Sequence, residues 1–277
     1  MMTIEDIKNL LNNEPTDLQL ADLAKDSRKG VQKLLENYYK RLQKAVAERE
    51  RFVQMLQYEN DYYAKGFKYI AGVDEAGRGP LAGPLVIAAV ILPKNCFISG
   101  LNDSKKLSAV KREQLFREIM EKAIDIEVNI VSISNIDNMN IYAATQFGMA
   151  QVLENMQCHP QVALIDAMPV NIPGIEIKSI IHGDALSASI AAASIIAKVT
   201  RDHIMERLDK IYPAYDFKHN KGYGSSKHIQ AISKYGATRW HRRSYEPVKS
   251  MSLPPLPMEE NVLYTPLLEN YEYPLEN

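Results

Sequence analysis

The run Tyr69-Ile70-Ala71-Gly72-Val73 leads into Asp74-Glu75-Ala76-Gly77-Arg78-Gly79-Pro80, and no other stretch constrains the chain as much. The apolar pentapeptide reads as a buried β-strand. Two adjacent carboxylates at its exit are costly, because desolvation disfavours their charged forms. Such a pair persists where a cation, most often a metal, lies against it. The glycines flanking Arg78 let the backbone approach an anionic ligand and offer it N–H donors. Taken alone, these residues read equally well as a solvated strand end and an ordinary turn. Acidic positions further along shift the balance.

Around this junction the texture is α/β. Strands are expected at Tyr69–Val73, Leu85–Leu92, Ile126–Ser132, Val162–Ile165 and Ile175–Ile181. Helices are expected at Lys111–Lys122, Ala143–Asn155, Ser187–Ile211 and Ser226–Tyr235. Apolar strands alternating with amphipathic helices predict a mostly buried sheet covered by helices. Residues 1–66 read as an all-helical N-terminal extension, 67–249 as the α/β domain, and 250–277 as a Pro-rich acidic tail, flexible or draped on the surface. In the extension, Thr3 with Asp6 resembles a capping box ahead of an Ile4, Ile7, Leu10, Leu11 stripe. A longer helix from Ser27 sets Val31, Leu34, Leu35, Tyr38, Leu42 and Val46 on one face. Its opposite, basic face (Arg28, Lys29, Lys33, Lys40, Arg41, Lys44, Arg49, Arg51) reads as solvated helix surface rather than a dedicated nucleic-acid arm.

Composition narrows the function class. With 277 residues, 46% of them hydrophobic, the chain can bury a sizeable core. Its two cysteines, Cys96 and Cys158, form neither a CxxC pair nor a zinc spacing. No signal-peptide pattern and no apolar run long enough to span a bilayer is read, so a reducing cytoplasm and no membrane partner are expected. Net charge is −1, but residues 251–277 carry five Glu and no Lys, Arg or Asp, so the preceding body is mildly basic. That is compatible with a polyanionic partner.

The second acid is Asp166, closing Val162-Ala163-Leu164-Ile165, and the third is Asp184 in His182-Gly183-Asp184, ahead of an Ala- and Ser-rich helix. Open α/β sheets gather ligands at the carboxyl ends of strands, so these acids can converge on one crevice. Asp74, Glu75, Asp166 and Asp184 together point to a metal. Oxygen-only ligands favour Mg²⁺ or Mn²⁺ over zinc. Two such ions about 3.5–4 Å apart suit phosphodiester cleavage. The Ala191-Ala192-Ala193-Ser194 stripe reads as structural, letting its helix pack close to the sheet.

Asp74–Pro84 resembles the signature of bacterial ribonuclease HII. Asp103-Ser104-Lys105-Lys106-Leu107, Asp166, Gly183-Asp184, Ser189–Asp202, Asn220-Lys221-Gly222-Tyr223-Gly224 and His241-Arg242-Arg243-Ser244 follow it in order. The resemblance covers roughly residues 67–249. It implies a ribonuclease H-like mixed sheet flanked by helices, and metal-dependent endonucleolysis of RNA in RNA–DNA hybrids and at ribonucleotides embedded in DNA. It assigns Asp74, Glu75, Asp166 and Asp184 as the four catalytic, metal-binding acids. It further implies that Gly77, Arg78 and Gly79 sense the ribose 2′-OH, that Tyr223 packs on the adjoining deoxyribose, and that Lys105 and Lys106 face phosphates. The family commonly has Lys where this chain has His182. The alternatives are a ribonuclease HIII-like enzyme, which carries a substrate-binding N-terminal domain, and a non-catalytic hybrid-binding protein. A P-loop ATPase is disfavoured, since Gly77–Gly83 lacks the Gly-Lys-Ser/Thr ending.

Overall fold

This computed structural model describes residues 2–251, so the tail expected over 250–277 lies, from residue 252 onward, outside the described residues. The chain divides into two compact units between Gln54 and Met55.

The first unit is helical: α1 (Ile4–Asn12), α2 (Asp17–Ala24) and nearly all of α3 (Lys29–Met55). Capping boxes start the two short helices. Thr3 Oγ1 accepts the Asp6 N–H at 3.1 Å while Asp6 Oδ2 accepts the Thr3 N–H at 3.0 Å. Thr16 and Gln19 repeat the exchange. Ile7, Leu11, Leu23, Val31 and Leu35 form the core of this unit. The sequence reading did not anticipate α2, which is only two turns long.

The second unit opens with α4 (Gln57–Ala64) and is built on a five-stranded mixed sheet of order β3-β2-β1-β4-β5. The strands are β1 (Ile70–Ala76), β2 (Leu85–Ile91), β3 (Asp125–Val131), β4 (Val162–Asp166) and β5 (Glu176–Ile180). β2 pairs antiparallel with β1 and β3, while β1–β4 and β4–β5 are parallel. All seven β2 residues are buried, as its unbroken apolar run requires for a strand covered on both faces.

Period-two alternation decides what each face carries. Ala71, Val73, Ala163 and Ile165 join one core cluster with residues of α6 (Ile133–Met139) and α7 (Ile141–Asn155). Ile70, Val162 and Leu164 face the other way, with Tyr62 of α4 and Ile190 of α9 (Ala188–Ile211). α9 lies across β1 and β2 so closely that a Cβ on Gly72 would sit 2.0 Å from the Ser189 carbonyl carbon. Among the remaining elements, α5 (Ala109–Lys122) packs on α9; α8 (Gly183–Leu186), α10 (Phe217–Asn220) and α11 (Ser226–Tyr235) complete the helices. Thus α4, grouped with the extension on sequence, contributes Tyr62 to the sheet core.

Candidate active site

Asp74 and Asp166 continue the face that carries Ile70, Gly72, Val162 and Leu164, so both carboxylates emerge on the α8–α9 side of two neighbouring parallel strands. Asp184 arrives from α8, one turn of helix beyond β5, rather than from a strand end. Asp166 Oδ1 accepts the Gly183 N–H at 2.7 Å, tying that turn to β4. The result is a triad: one carboxylate oxygen each from Asp74, Asp166 and Asp184, all within 4.8 Å of one another. Glu75 is not part of it. Alternation sends its Cβ to the opposite face, its Oε1 lies 3.5 Å from Arg78 Nη1, and its buried Oε2 has no partner among the described residues. The sequence reading treated the four acids as equivalent; the geometry separates three from one.

The electrostatics show what the triad lacks. Burial, then the charge of Glu75, push the Asp74 carboxyl well above the usual carboxylate range, against a hydrogen bond from Ser194. Asp184 is raised by burial, then by Asp103 and Asp166. Glu75 is also raised by burial, although Arg78 opposes the shift. Crowded, desolvated carboxylates hold protons that a divalent cation would displace, and an all-oxygen donor set fits Mg²⁺ or Mn²⁺.

This gives a signed expectation for the metal-free protein. The folded state binds the Asp74 proton more tightly than the unfolded state, so stability falls as pH rises from the ordinary carboxylate range through the raised folded value. Asp74→Asn removes the penalty. In chelator it should melt at a higher temperature than wild type near pH 7, and the gap should close as pH falls towards about 4. Thermal melts across that range check this; equal melting temperatures at neutral pH contradict it.

Beside the triad, a cavity of about 270 Å³ is lined by Glu75, Arg78, Gly79, Ser104, Lys105 and Tyr223, among others. The loop from Gly77 to Pro84 is held from behind by two fully buried arginines, Arg201 and Arg242, to which the sequence reading gave no role. Arg201 donates to the carbonyls of Pro84, Lys221 and Ala82 at 2.9–3.0 Å. Arg242 donates to those of Gly77 (2.6 Å), Arg78 (2.9 Å) and Gly83 (2.8 Å), and the Tyr245 hydroxyl also donates to the Arg78 carbonyl. Backbone carbonyls take most of the hydrogen bonds of both guanidiniums, with the Tyr245 side chain also bonding Arg242. Burial, with Arg242 nearby, pulls Arg201 down to about 10. Gly77 (φ +101°) must be glycine, since a Cβ would fall 2.1 Å from Arg201 Nε. With two carbonyls turned to Arg242, the N–H groups of the same trans peptide units, those of Arg78 and Gly79, point away from it. Neither donates a hydrogen bond among the described residues, so both are free for a ligand.

Lys105 reaches the triad, with Nζ 4.0 Å from Asp184 Oδ2, yet remains largely exposed. Lys106 instead lies 3.8 Å from Asp103 Oδ2 and does not line the cavity. Tyr223 is 53% exposed, its ring edge opposite Gly79. Its carbonyl accepts from His228 Nδ1 at 2.8 Å. His228 Nε2 meets His241 Nε2 at 3.0 Å, and His241 Nδ1 accepts the Thr238 N–H at 2.9 Å. That bonding assigns the tautomers: the protons sit on His241 Nε2 and His228 Nδ1, and both rings are neutral. Burial, then His228, push His241 down to about 3. His182 is exposed, takes a left-handed φ of +58° and precedes α8 without capping it through its side chain.

Ser194 corrects one expectation, because a member of the small-residue stripe hydrogen-bonds Asp74 and also meets Ser104 at 2.8 Å. Asp103 likewise shares a hydrogen bond with Asp184. The signal for both was their place in Asp103–Leu107 and Ser189–Asp202, which carried the resemblance.

Comparisons with known proteins agree with this architecture. A family model described as Ribonuclease HII matches residues 71–248, and one described as Ribonuclease HII N-terminal domain matches residues 3–63. The chain is 51% identical over 252 residues to a Ribonuclease HII of Bacillus anthracis, covering 90% of this chain and 98% of the relative. The crystal structure of ribonuclease H2 from Pyrococcus horikoshii OT3 aligns with a TM-score of 0.58 at 28% identity, over 66% of this chain and 96% of the other. A Bst-RNase HIII structure aligns at TM-score 0.53 and 18% identity, over 67% of this chain and 70% of the other, a likeness of fold alone.

Proposed function

The chain belongs to the ribonuclease HII family, and on that premise we propose that it hydrolyses the RNA strand of RNA–DNA hybrids and cuts at single ribonucleotides embedded in duplex DNA. The observation that carries this reading is the adjacency of the Asp74–Asp166–Asp184 triad, spaced within 4.8 Å, to a loop with two undonated N–H groups.

In this reading Asp74, Asp166 and Asp184 would hold the metal, and Glu75, whose Cβ leaves the opposite face of β1, would complete the acidic set. Mg²⁺ or Mn²⁺, as a pair of ions, supplies charge for the scissile phosphate and an activated water when bound. The Arg78 and Gly79 N–H groups, with the closely spaced Gly77, receive the 2′-OH and adjoining phosphate, which is where RNA differs from DNA. Lys105 neutralises phosphate at the cavity mouth and Lys106 lies further out. Tyr223 supports the next sugar. Two features favour this assignment over ribonuclease HIII: the N-terminal family match, and the low identity to the HIII structure. Retention of all the acids disfavours a purely binding role. Among the described residues no helix is long and apolar enough to cross a membrane. The two free cysteines suit the reducing cytoplasm we assign.

The discriminating experiment incubates the protein and Mg²⁺ with a duplex bearing one ribonucleotide, alongside an all-DNA duplex. Cleavage of the first alone supports the reading; cleavage of neither or both removes it. Within the same assay, Tyr223→Ala should slow cutting at the ribonucleotide by about tenfold or more, the equivalent of about 1–3 kcal/mol of lost packing. All-DNA duplex should stay uncut, because discrimination is assigned to the Gly77–Gly79 backbone. Full-rate cleavage by this variant rules out the role given to Tyr223.

A further inference from the structure

Glu59 is a buried acid that nothing above uses. It sits on α4, is 1% exposed, and its Oε1 accepts from Ser187 Oγ at 2.7 Å and from the Ser189 N–H at 2.8 Å. Its Oε2 is buried with no partner among the described residues.

Those contacts fall on the junction that delivers Asp184. Ser187 ends α8 and caps α9: its N–H donates to Gly183 O at 2.8 Å, closing the turn that contains Asp184, and its Oγ accepts the Ile190 N–H at 3.2 Å. Because Ser187 alone already caps α9, a second acceptor from a remote helix is superfluous for starting that helix. What it adds is a fixed position for Ser187. The junction is clamped on one side by Gly72 of β1, where Ser189 leaves no room for a Cβ, and by Glu59 through hydrogen bonds.

We propose that Glu59 is a positioning residue for Asp184, so that a helix matched by the N-terminal family model sets the geometry of the metal-binding triad. This rests on the reading of Asp184 as a metal ligand. Burial raises the Glu59 carboxyl above its ordinary range, against the bonds from Ser187 and Ser189. Its two hydrogen bonds both use Oε1 as an acceptor, a role that an amide oxygen can take over. Outer-shell partners of this kind are typically worth about 10–100-fold in metal affinity or activity.

The test compares full-length Glu59→Leu, which fills the volume but accepts no hydrogen bond, with Glu59→Gln, which keeps the acceptor. Mn²⁺ binding is measured by calorimetry, amide exchange over residues 187–190 in metal-free protein, and kcat and KM on a hybrid duplex. Glu59→Leu should weaken Mn²⁺ binding and lower kcat by about 10–100-fold each, speed exchange at those amides, and leave KM unchanged. Glu59→Gln should match wild type. A role in stability alone would lower the melting temperature of Glu59→Leu and leave Mn²⁺ binding by the folded protein intact; that result overturns the proposal, as does a Gln variant as impaired as Leu. Should the Leu variant not fold, Ser187→Ala removes one link of the same chain and must weaken Mn²⁺ binding in the same direction; unchanged binding refutes the inference. Asp184→Asn separates the two readings. Wild-type Mn²⁺ affinity in that variant removes Asp184 from the metal site altogether, whereas weak binding there with normal Glu59→Leu removes only the role of Glu59.

Discussion

Asp74→Asn and Asp184→Asn should each lose more than about a hundredfold of cleavage in Mg²⁺, beyond the loss typical of an outer-shell partner. Hybrid binding and the fold should be retained. The amide is nearly isosteric, so packing around β1 and α8 is kept, but it is a weaker donor to a hard cation and offsets none of its charge. Asp74 shows the contrast most sharply. It is 4% exposed and packed among like charges, so the substitution that removes activity is the one expected to stabilise the metal-free chain. A triad that is costly to fold without its ligand and indispensable with it is the expected form of a stability–function trade-off. Rates on a single-ribonucleotide duplex, with binding measured separately, decide the matter. Near-wild-type turnover in either variant would take that aspartate out of the site.

Arg242→Met should be the most destabilising single change in the loop region. It leaves the buried carbonyl of Gly83 and the partly buried carbonyls of Gly77 and Arg78 without the guanidinium that serves them. Each unsatisfied buried acceptor costs about 1–3 kcal/mol. Tyr245 still serves Arg78, so the loss falls on Gly83 and, in part, Gly77, a sizeable share of the roughly 5–15 kcal/mol that holds a domain together. Lys should not substitute, because a single ammonium cannot span three carbonyls as a planar fork does. Denaturant melts of both variants measure the loss. Rates taken well below the transition should also fall, as the Arg78 and Gly79 N–H groups lose their fixed direction. If Arg242→Lys melts and cleaves like wild type, the clamp is not what orders the loop.

Much of the architecture was readable from residues alone, and the limits have physical causes. The runs Ile70–Val73, Leu85–Ile91 and Val162–Ile165 are apolar on both faces, so strand identity and burial follow from composition. Their ends, Asp74 and Asp166, needed only the rule that ligands gather at strand carboxyl ends. Alternation alone sends Asp74 and Glu75 to opposite faces of β1; which of them shares a face with Asp166 depends on the pairing with β4, which the same pattern could not reveal. Helices α2, α6, α8 and α10 span one or two turns, too short for a periodic stripe to register. Arg201 and Arg242 stood in the motifs that carry the resemblance, but their role was not legible for a different reason: charge in a sequence reads as surface, and only the folded loop shows carbonyls enough to bury a guanidinium. Ser194 and Glu59 are single polar atoms within apolar or helical patterns, and their partners lie far away along the chain.

The carbonyl-bound arginines give the loop two kinds of positive charge with different responses to salt. Lys105 and Lys106 are exposed, at 78% and 62% of the side chain, and ions at physiological strength screen such charges beyond about 8 Å. Arg201 and Arg242 are sealed from solvent, so mobile ions do not reach them. Arg242 binds the carbonyls of Gly77 and Arg78, and its field is passed outward through those two peptide groups, which polarises the N–H groups of Arg78 and Gly79 into stronger donors. On the proposed reading, attraction of a nucleic acid to the cleft should therefore fade as counterions accumulate, whereas hydrogen bonding of the Arg78 and Gly79 amides to a sugar–phosphate should not.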